Sequence, residues 1–177
     1  MNNNIENKYY KLKPLIFSVF LLPVIIYLIL NKGDFIFIDF VNLLIHEGGH
    51  GIFRIFGKFI YTLGGSLMQL LIPSMFVIFY ALHNQVNITQ LSLVWLGENF
   101  MNVSKYVADA STMKLPLLGG NRVYHDWNYL LGRLNLLEYD TTLGNIVYGI
   151  GILCFIAAIF FPIMNKRNQK INLELNL

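Results

Sequence analysis

The sequence is short of charge. Lysine, arginine, aspartate and glutamate make up 13% of its 177 residues, against about 25% in soluble domains. With 55% of residues hydrophobic, a water-solvated globule is not the expected state. The formal net charge of +3 is spread along the chain, which argues against a nucleic-acid partner. Cysteine is limited to Cys154. That excludes an intrachain disulfide and leaves this thiol, set in an apolar run, to packing. Repeats are absent, and so is any segment that reads as a soluble domain. The first apolar run follows Lys8, Lys11 and Lys13, as in a secretory signal, but leads into "NKGDF" with no small-residue cleavage site. It therefore reads as a retained anchor.

Long apolar runs are abundant. "PLIFSVFLLPVIIYLIL" and "IVYGIGILCFIAAIFFPIM" approach the roughly 20 residues that cross a bilayer. Five spans are expected, near 14–31, 35–57, 60–82, 89–109 and 143–164. All should be helical, since lipid offers the backbone no other partner. The expected fold is all-α: one integral membrane domain over 1–177, a polytopic bundle of about five spans, with a re-entrant or interfacial helix in 111–142. Within that stretch a short helix near 127–138, capped by Asp126, would lay Trp127, Leu130, Leu131 and Leu134 along the interface. Lys8, Lys11 and Lys13 assign the N-terminus to the cytoplasm, and Arg54, Lys58, Lys114, Arg122 and Arg133 follow on that side. The loop 83–88 has no Lys or Arg and is expected outside. Lys166, Arg167 and Lys170 break the alternation, so either the rule fails at this tail or 110–142 hides another crossing. The expected location is a cell membrane, the inner membrane of a bacterium.

The polar residues inside the spans share faces. On the second, Asp39, Asn42, His46, Glu47, His50 and Arg54 fall within a sector of roughly 160° at 100° per residue. On the fourth, Trp95, Glu98, Asn99, Asn102, Lys105, Tyr106 and Asp109 fall within roughly 120°. On the third, Thr62, Ser66 and Gln69 form a line. Ionisable groups in spans face the bundle interior or a wet cavity, so these stripes should meet at a common centre. Polar helix–helix packing alone would need only serines or asparagines.

His46-Glu47-Gly48-Gly49-His50 is HExxH. Two histidines at i and i+4 share a helical face and can hold one zinc ion, with Glu47 beside them to act on water. Zinc lowers the pKa of a bound water toward about 7. A dication and a wet cavity would also justify charge in so apolar a run. Gly48, Gly49 and Gly51 either let a substrate strand approach or simply pack helices.

The second to fourth spans, about 35–120, resemble the site-two-protease clan of intramembrane zinc metalloproteases. The resemblance rests on "HEGGH", on the Gly-rich "LGGSLMQLLIP" at 63–73 and on "GENFMNVSKYVADA" at 97–110. It implies a metalloprotease core within 35–142. It also implies Asp109 as third ligand, Asn99 or Asn102 as substrate-positioning residues, and a protein or peptide substrate in the bilayer. Asp109 is flanked by Ala108 and Ala110, where that clan has a Pro-rich Leu-Asp-Gly run, and no PDZ domain is present. His125 is a further candidate, as fourth ligand or transition-state donor, with Asp126 orienting it. A different amide or ester would use the same atoms. The rival reading is a non-catalytic metal-binding membrane assembly or transport factor, which has no need of Glu47.

Overall fold

The computed structural model describes the backbone of residues 2–116 and 124–175 and the side chains of 15–116 and 124–165. Lys8, Lys11, Lys13, Arg122, Lys166, Arg167 and Lys170, which carry much of the orientation argument, lie outside the described side chains. Six α-helices follow one another: α1 Asn2–Asn31, α2 Asp39–Phe53, α3 Lys58–Leu82, α4 Val86–Ala108, α5 Asp126–Arg133 and α6 Asp140–Leu175. There is no strand among the described residues. Single 3-10 turns, Arg54–Phe56 and Leu137–Tyr139, precede α3 and α6.

Among the described residues two helical stretches, rather than the expected five, are long and apolar enough to cross a membrane: Lys58–Leu82 and Leu137–Asn165. The reasons differ for the rest. α2 begins at Asp39 rather than near 35 and has 15 residues, about 22 Å of helix against a hydrocarbon core of roughly 30 Å. α4 is long enough, but Glu98, Asn99, Asn102 and Lys105 interrupt its apolar character. The apolar part of α1 is the shorter Leu15–Asn31.

α4 is the axis of the bundle and is buried nearly all round, packing on α6, α3, α1 and α5. α1 runs parallel to it. Gln90 Nε2 donates to Ser18 Oγ at 2.7 Å and Ser18 to the Ile159 carbonyl at 3.1 Å, while Asp34 at the far end pairs with Lys105. α6 is antiparallel to both, with Tyr148 hydroxyl donating to the Ile29 carbonyl. The start of α1's described part, the 83–85 turn and the far part of α6 are therefore at one end. The expected separation of the N-terminus from the 83–88 loop does not hold. α2 does not return to that end; it lies against α3 near the other one. Gly49 and Gly64 make this possible: a Cβ on Gly49 would collide with the Gly64 carbonyl, and one on Gly64 would come within 2.7 Å of Phe53 Cβ. Gly48 and Gly51 have nothing within 4 Å of a Cβ. Of the three motif glycines, only Gly49 is needed for packing.

α5 is not an open interfacial helix. It spans Asp126–Arg133, and His125 rather than Asp126 is its N-cap, with Nδ1 accepting from Asn128 N. Leu130 and Leu131 are buried, Leu131 among Val103, Val107 and Ala110, while Leu134 is exposed. Leu134 follows the end of the helix, so it leaves the face that its sequence spacing assigns to it.

The bundle buries polar residues beside its apolar core and is apolar without. Asp39, Asn42, Thr62, Gln69, Gln90, Glu98 and Asn99 are all buried, whereas Phe37 and Ile55 are 86% and 84% exposed and Phe20, Leu30, Leu44 and Leu82 are also open.

Candidate metal centre

Two elements bring three ligand atoms together. α2 supplies His46 and His50, one turn apart with ring centroids 4.8 Å from each other. The start of α5 supplies Asp126. Asp126 Oδ2 lies 3.1 Å from His46 Nε2 and 3.2 Å from His50 Nε2, and the three atoms all fall within 4.8 Å of one another. Ligands about 2.0–2.1 Å from a tetrahedral zinc stand ~3.3 Å apart, so the two carboxylate–imidazole separations already match such a set.

The outer nitrogens fix the rings. His50 Nδ1 donates to the Tyr61 carbonyl at 2.8 Å. His46 Nδ1 lies 3.3 Å from Gln69 Oε1. A carbonyl can only accept, so the Nδ1 atoms carry the protons and the Nε2 lone pairs face Asp126 Oδ2. Lone pairs converging on a carboxylate oxygen repel unless a cation lies between them. This donor set fits a divalent metal, and zinc suits two imidazoles and a carboxylate.

Asp126 is held in place by its neighbours. Its backbone N–H donates to Tyr106 hydroxyl at 3.1 Å, Trp127 Nε1 donates to Ser66 Oγ at 3.1 Å, and Asn128 Nδ2 donates to the Ala110 carbonyl at 2.9 Å. Tyr124 hydroxyl is 2.8 Å from Thr62 Oγ1. Four bonds to α3, α4 and the turn after α4 thus fasten the segment 124–128 above the histidines. Burial pushes the Asp126 carboxyl up, but its contacts with His46 and His50 outweigh this and hold it below the usual carboxylate range. The pocket therefore favours positive charge between the rings, whether a proton or a metal ion.

The expected positions of the two aspartates are exchanged. Asp109, expected as third ligand, is the C-cap of α4. It accepts from Thr112 Oγ1 and from the N–H groups of Lys114 and Leu115, so its oxygens shape the turn that follows. His125, expected beside the metal with Asp126 orienting it, has Nε2 3.4 Å from Asp109 Oδ2. Burial pushes this imidazole down, against the pull of Asp109. Asn99 and Asn102, expected to hold substrate, are engaged elsewhere. Asn99 is fully buried and donates to the Trp95 carbonyl, while Asn102 bonds Gln69 and Asp39.

Glu47 is exposed. It lines an open cleft of about 660 Å³ together with His50, Gly51, Arg54, Lys58, Tyr61 and Tyr124. The His50 ring and the motif acid therefore face the same open space. Lys58 Nζ stands over the rings of Tyr124 and Tyr129, 5.1 and 4.6 Å from their centroids. Sequence reasoning gave no role to Gln69, Tyr61 or Tyr106. Gln69 and Tyr106 left a signal, as parts of the polar stripes on the third and fourth spans, and Tyr61 left none.

Gly65 tests the centre. A Cβ there would sit 2.5 Å from His46 Nε2 and 2.7 Å from Cδ2 and Cε1. The ring is wedged between α3 and Asp126 and would have to turn. We expect Gly65→Ala to weaken zinc binding by at least about tenfold, the lower range for losing ligand orientation. Gly48→Ala and Gly51→Ala should leave it unchanged. Competition titration with a chromophoric chelator measures all three.

No family model, curated protein or solved structure matches this chain.

Proposed function

We propose that this protein is a zinc-dependent hydrolase of the membrane, acting on peptide bonds in or near the bilayer. The observation that carries the reading is the convergence of His46 Nε2, His50 Nε2 and Asp126 Oδ2 beside a cleft that Glu47 also lines. The likeness of HEGGH to the site-two-protease clan supports it, with Asp126 taking the part that the resemblance assigned to Asp109.

His46, His50 and Asp126 would hold the metal, which when bound polarises a carbonyl and acidifies a water. Glu47 takes a proton from the attacking water and delivers it to the leaving nitrogen. Tyr61 holds His50 through its carbonyl, so that Nε2 stays free of a proton. The water reaches the site through the open side of α2, where Gly48 and Gly51 leave the flank bare.

The inverted surface supports a bilayer setting. Exposed Phe, Leu and Ile side chains on every long helix would form an unstable water surface, whereas lipid solvates them and buried polar groups pair inside. Beside the two apolar stretches on α3 and α6 we count α1 and α4 as crossings, because they run alongside these helices in one bundle, which makes four, with α2 entering only part of the depth. An even number of crossings brings Lys166, Arg167 and Lys170 to the side of Lys8, Lys11 and Lys13, which removes the conflict at the C-terminal tail. Reporter fusions at residue 86 and at the C-terminus should then report the same side as an N-terminal one. A residue-86 fusion reporting the opposite side would reject this arrangement.

The function is tested by metal content. Purified protein should carry about one zinc per chain, and the His46→Ala, His50→Ala double variant should carry none. Equal metal in the two proteins rejects the centre.

A further inference from the structure

Beneath the metal centre runs a buried chain of hydrogen bonds that the hydrolytic reading does not use. It begins at His46 Nδ1, 3.3 Å from Gln69 Oε1. Gln69 Nε2 donates to Asn102 Oδ1 at 3.1 Å, and Asn102 Nδ2 donates to Asp39 Oδ1 at 3.0 Å. Asn42 Nδ2 bridges Asp39 Oδ1 at 3.0 Å and Glu98 Oε2 at 2.8 Å. Asp39 Oδ2 accepts from Ile36 N at 2.7 Å. Asp39, Asn42, Gln69 and Glu98 are all at least nine-tenths buried, so water does not offer alternative partners.

The chain has a direction. Asp39 is held by donors on both oxygens. Ile36 N–H cannot be anything but a donor, and neither can the Trp95 indole, which donates to Asn42 Oδ1 at 2.9 Å. The indole therefore fixes Asn42 with its amino group toward Asp39 and Glu98. The carboxylate in turn requires the amino group of Asn102, which leaves Asn102 Oδ1 to face Gln69. Gln69 must answer with its amino group, and its Oε1 is then turned to His46. An acceptor at that point keeps the proton on Nδ1 and leaves Nε2 bare for a metal.

We propose that Asp39 is a positioning residue for the metal centre, selecting the metal-binding tautomer of His46 through Asn102 and Gln69. This rests on the reading of His46 as a zinc ligand. Asp39→Asn keeps the volume but cannot accept on both sides. In the molecules whose oxygen stays on Ile36 N–H, the amino group faces Asn42, which the indole holds, and Asn102, which turns over together with Gln69. Gln69 then offers N–H to His46 Nδ1, the proton moves to Nε2, and the lone pair meant for zinc is lost.

Two measurements test this. Long-range ¹⁵N–¹H spectra of metal-free Asp126→Ala protein, in which no carboxylate faces His46 Nε2, labelled on histidine and held in micelles, read the tautomer directly, with His46→Gln assigning the ring. His46 should be protonated on Nδ1 in that protein and shift toward Nε2–H when Asp39→Asn is added. Zinc titration should show Asp39→Asn weaker by about ten- to a hundredfold, the usual loss for an outer partner of a ligand. Gln69→Glu puts an acceptor permanently opposite Nδ1 and cuts the relay, so in that background Asp39→Asn should no longer change the tautomer or the affinity. An equal loss in both backgrounds makes Asp39 merely structural and overturns the proposal. So does an Nε2–H tautomer at His46 in the Asp126→Ala protein. If the unaltered protein binds no zinc, the metal reading fails, and the tautomer shift alone still decides whether the relay operates.

Discussion

Asp126→Ala will lose zinc while Asp109→Ala keeps it. The carboxylate of Asp126 is 3.1 and 3.2 Å from the two imidazoles, whereas that of Asp109 is occupied by the turn after α4. Removing one of three protein ligands should weaken binding by more than about a hundredfold, the upper range for an outer-shell partner. Asp109→Ala should instead lower thermal stability, because two backbone N–H groups and a hydroxyl lose their acceptor, at about 1 kcal/mol each. Metal titration and melting of both variants separate the two roles. Zinc retained by Asp126→Ala and lost by Asp109→Ala would restore Asp109 as a ligand and discard the centre described above.

Glu47→Gln will keep zinc and lose turnover. Glu47 is exposed and outside the ligand triad but lines the cleft with His50. As a general base it should be worth at least about a hundredfold in rate, and glutamine preserves its size without its basicity. The assay needs peptides that span or skirt a bilayer, presented in vesicles, with zinc content followed in parallel. Unchanged cleavage by Glu47→Gln would remove it from the chemistry. Metal lost with activity would make it a ligand. Zinc binding without cleavage in the unaltered protein would favour a metal-binding assembly or transport factor.

Much of the centre was legible in the sequence because helical spacing is local. His46 and His50 meet because residues four apart share a face, and the stripes on α2 and α4 did meet. The different placement of the aspartates has a physical source. Asp109 is near the histidines in sequence pattern, but a carboxylate at the end of a helix is drawn to the free N–H groups of the next turn. Asp126 reaches the site only because Tyr106, Ser66, Ala110 and Thr62 hold the returning segment, and those bonds join residues 18 to 62 positions apart. No local pattern encodes them. The span count failed for a similar reason. Apolar content was read as contact with lipid, yet α4 is enclosed by its neighbours and α2 is too short to cross. The polar stripe of α4 was real, but Val103 and Val107 on its other side are just as buried, since a central helix has no outer face.

The contact between His46 and Asp126 joins residues 80 positions apart. A metal ion there would act as a cross-link in a chain whose single cysteine allows no intrachain disulfide. In the chain-entropy account, closing a loop of that length costs the unfolded ensemble on the order of 4–5 kcal/mol. Assembly of the site would then be part of completing the fold. Chelation should free the segment around α5 first, since an 8-residue helix cannot stand alone in water. Protease cutting near residues 124–133 would report whether the ion is bound, well before the rest of the bundle gives way.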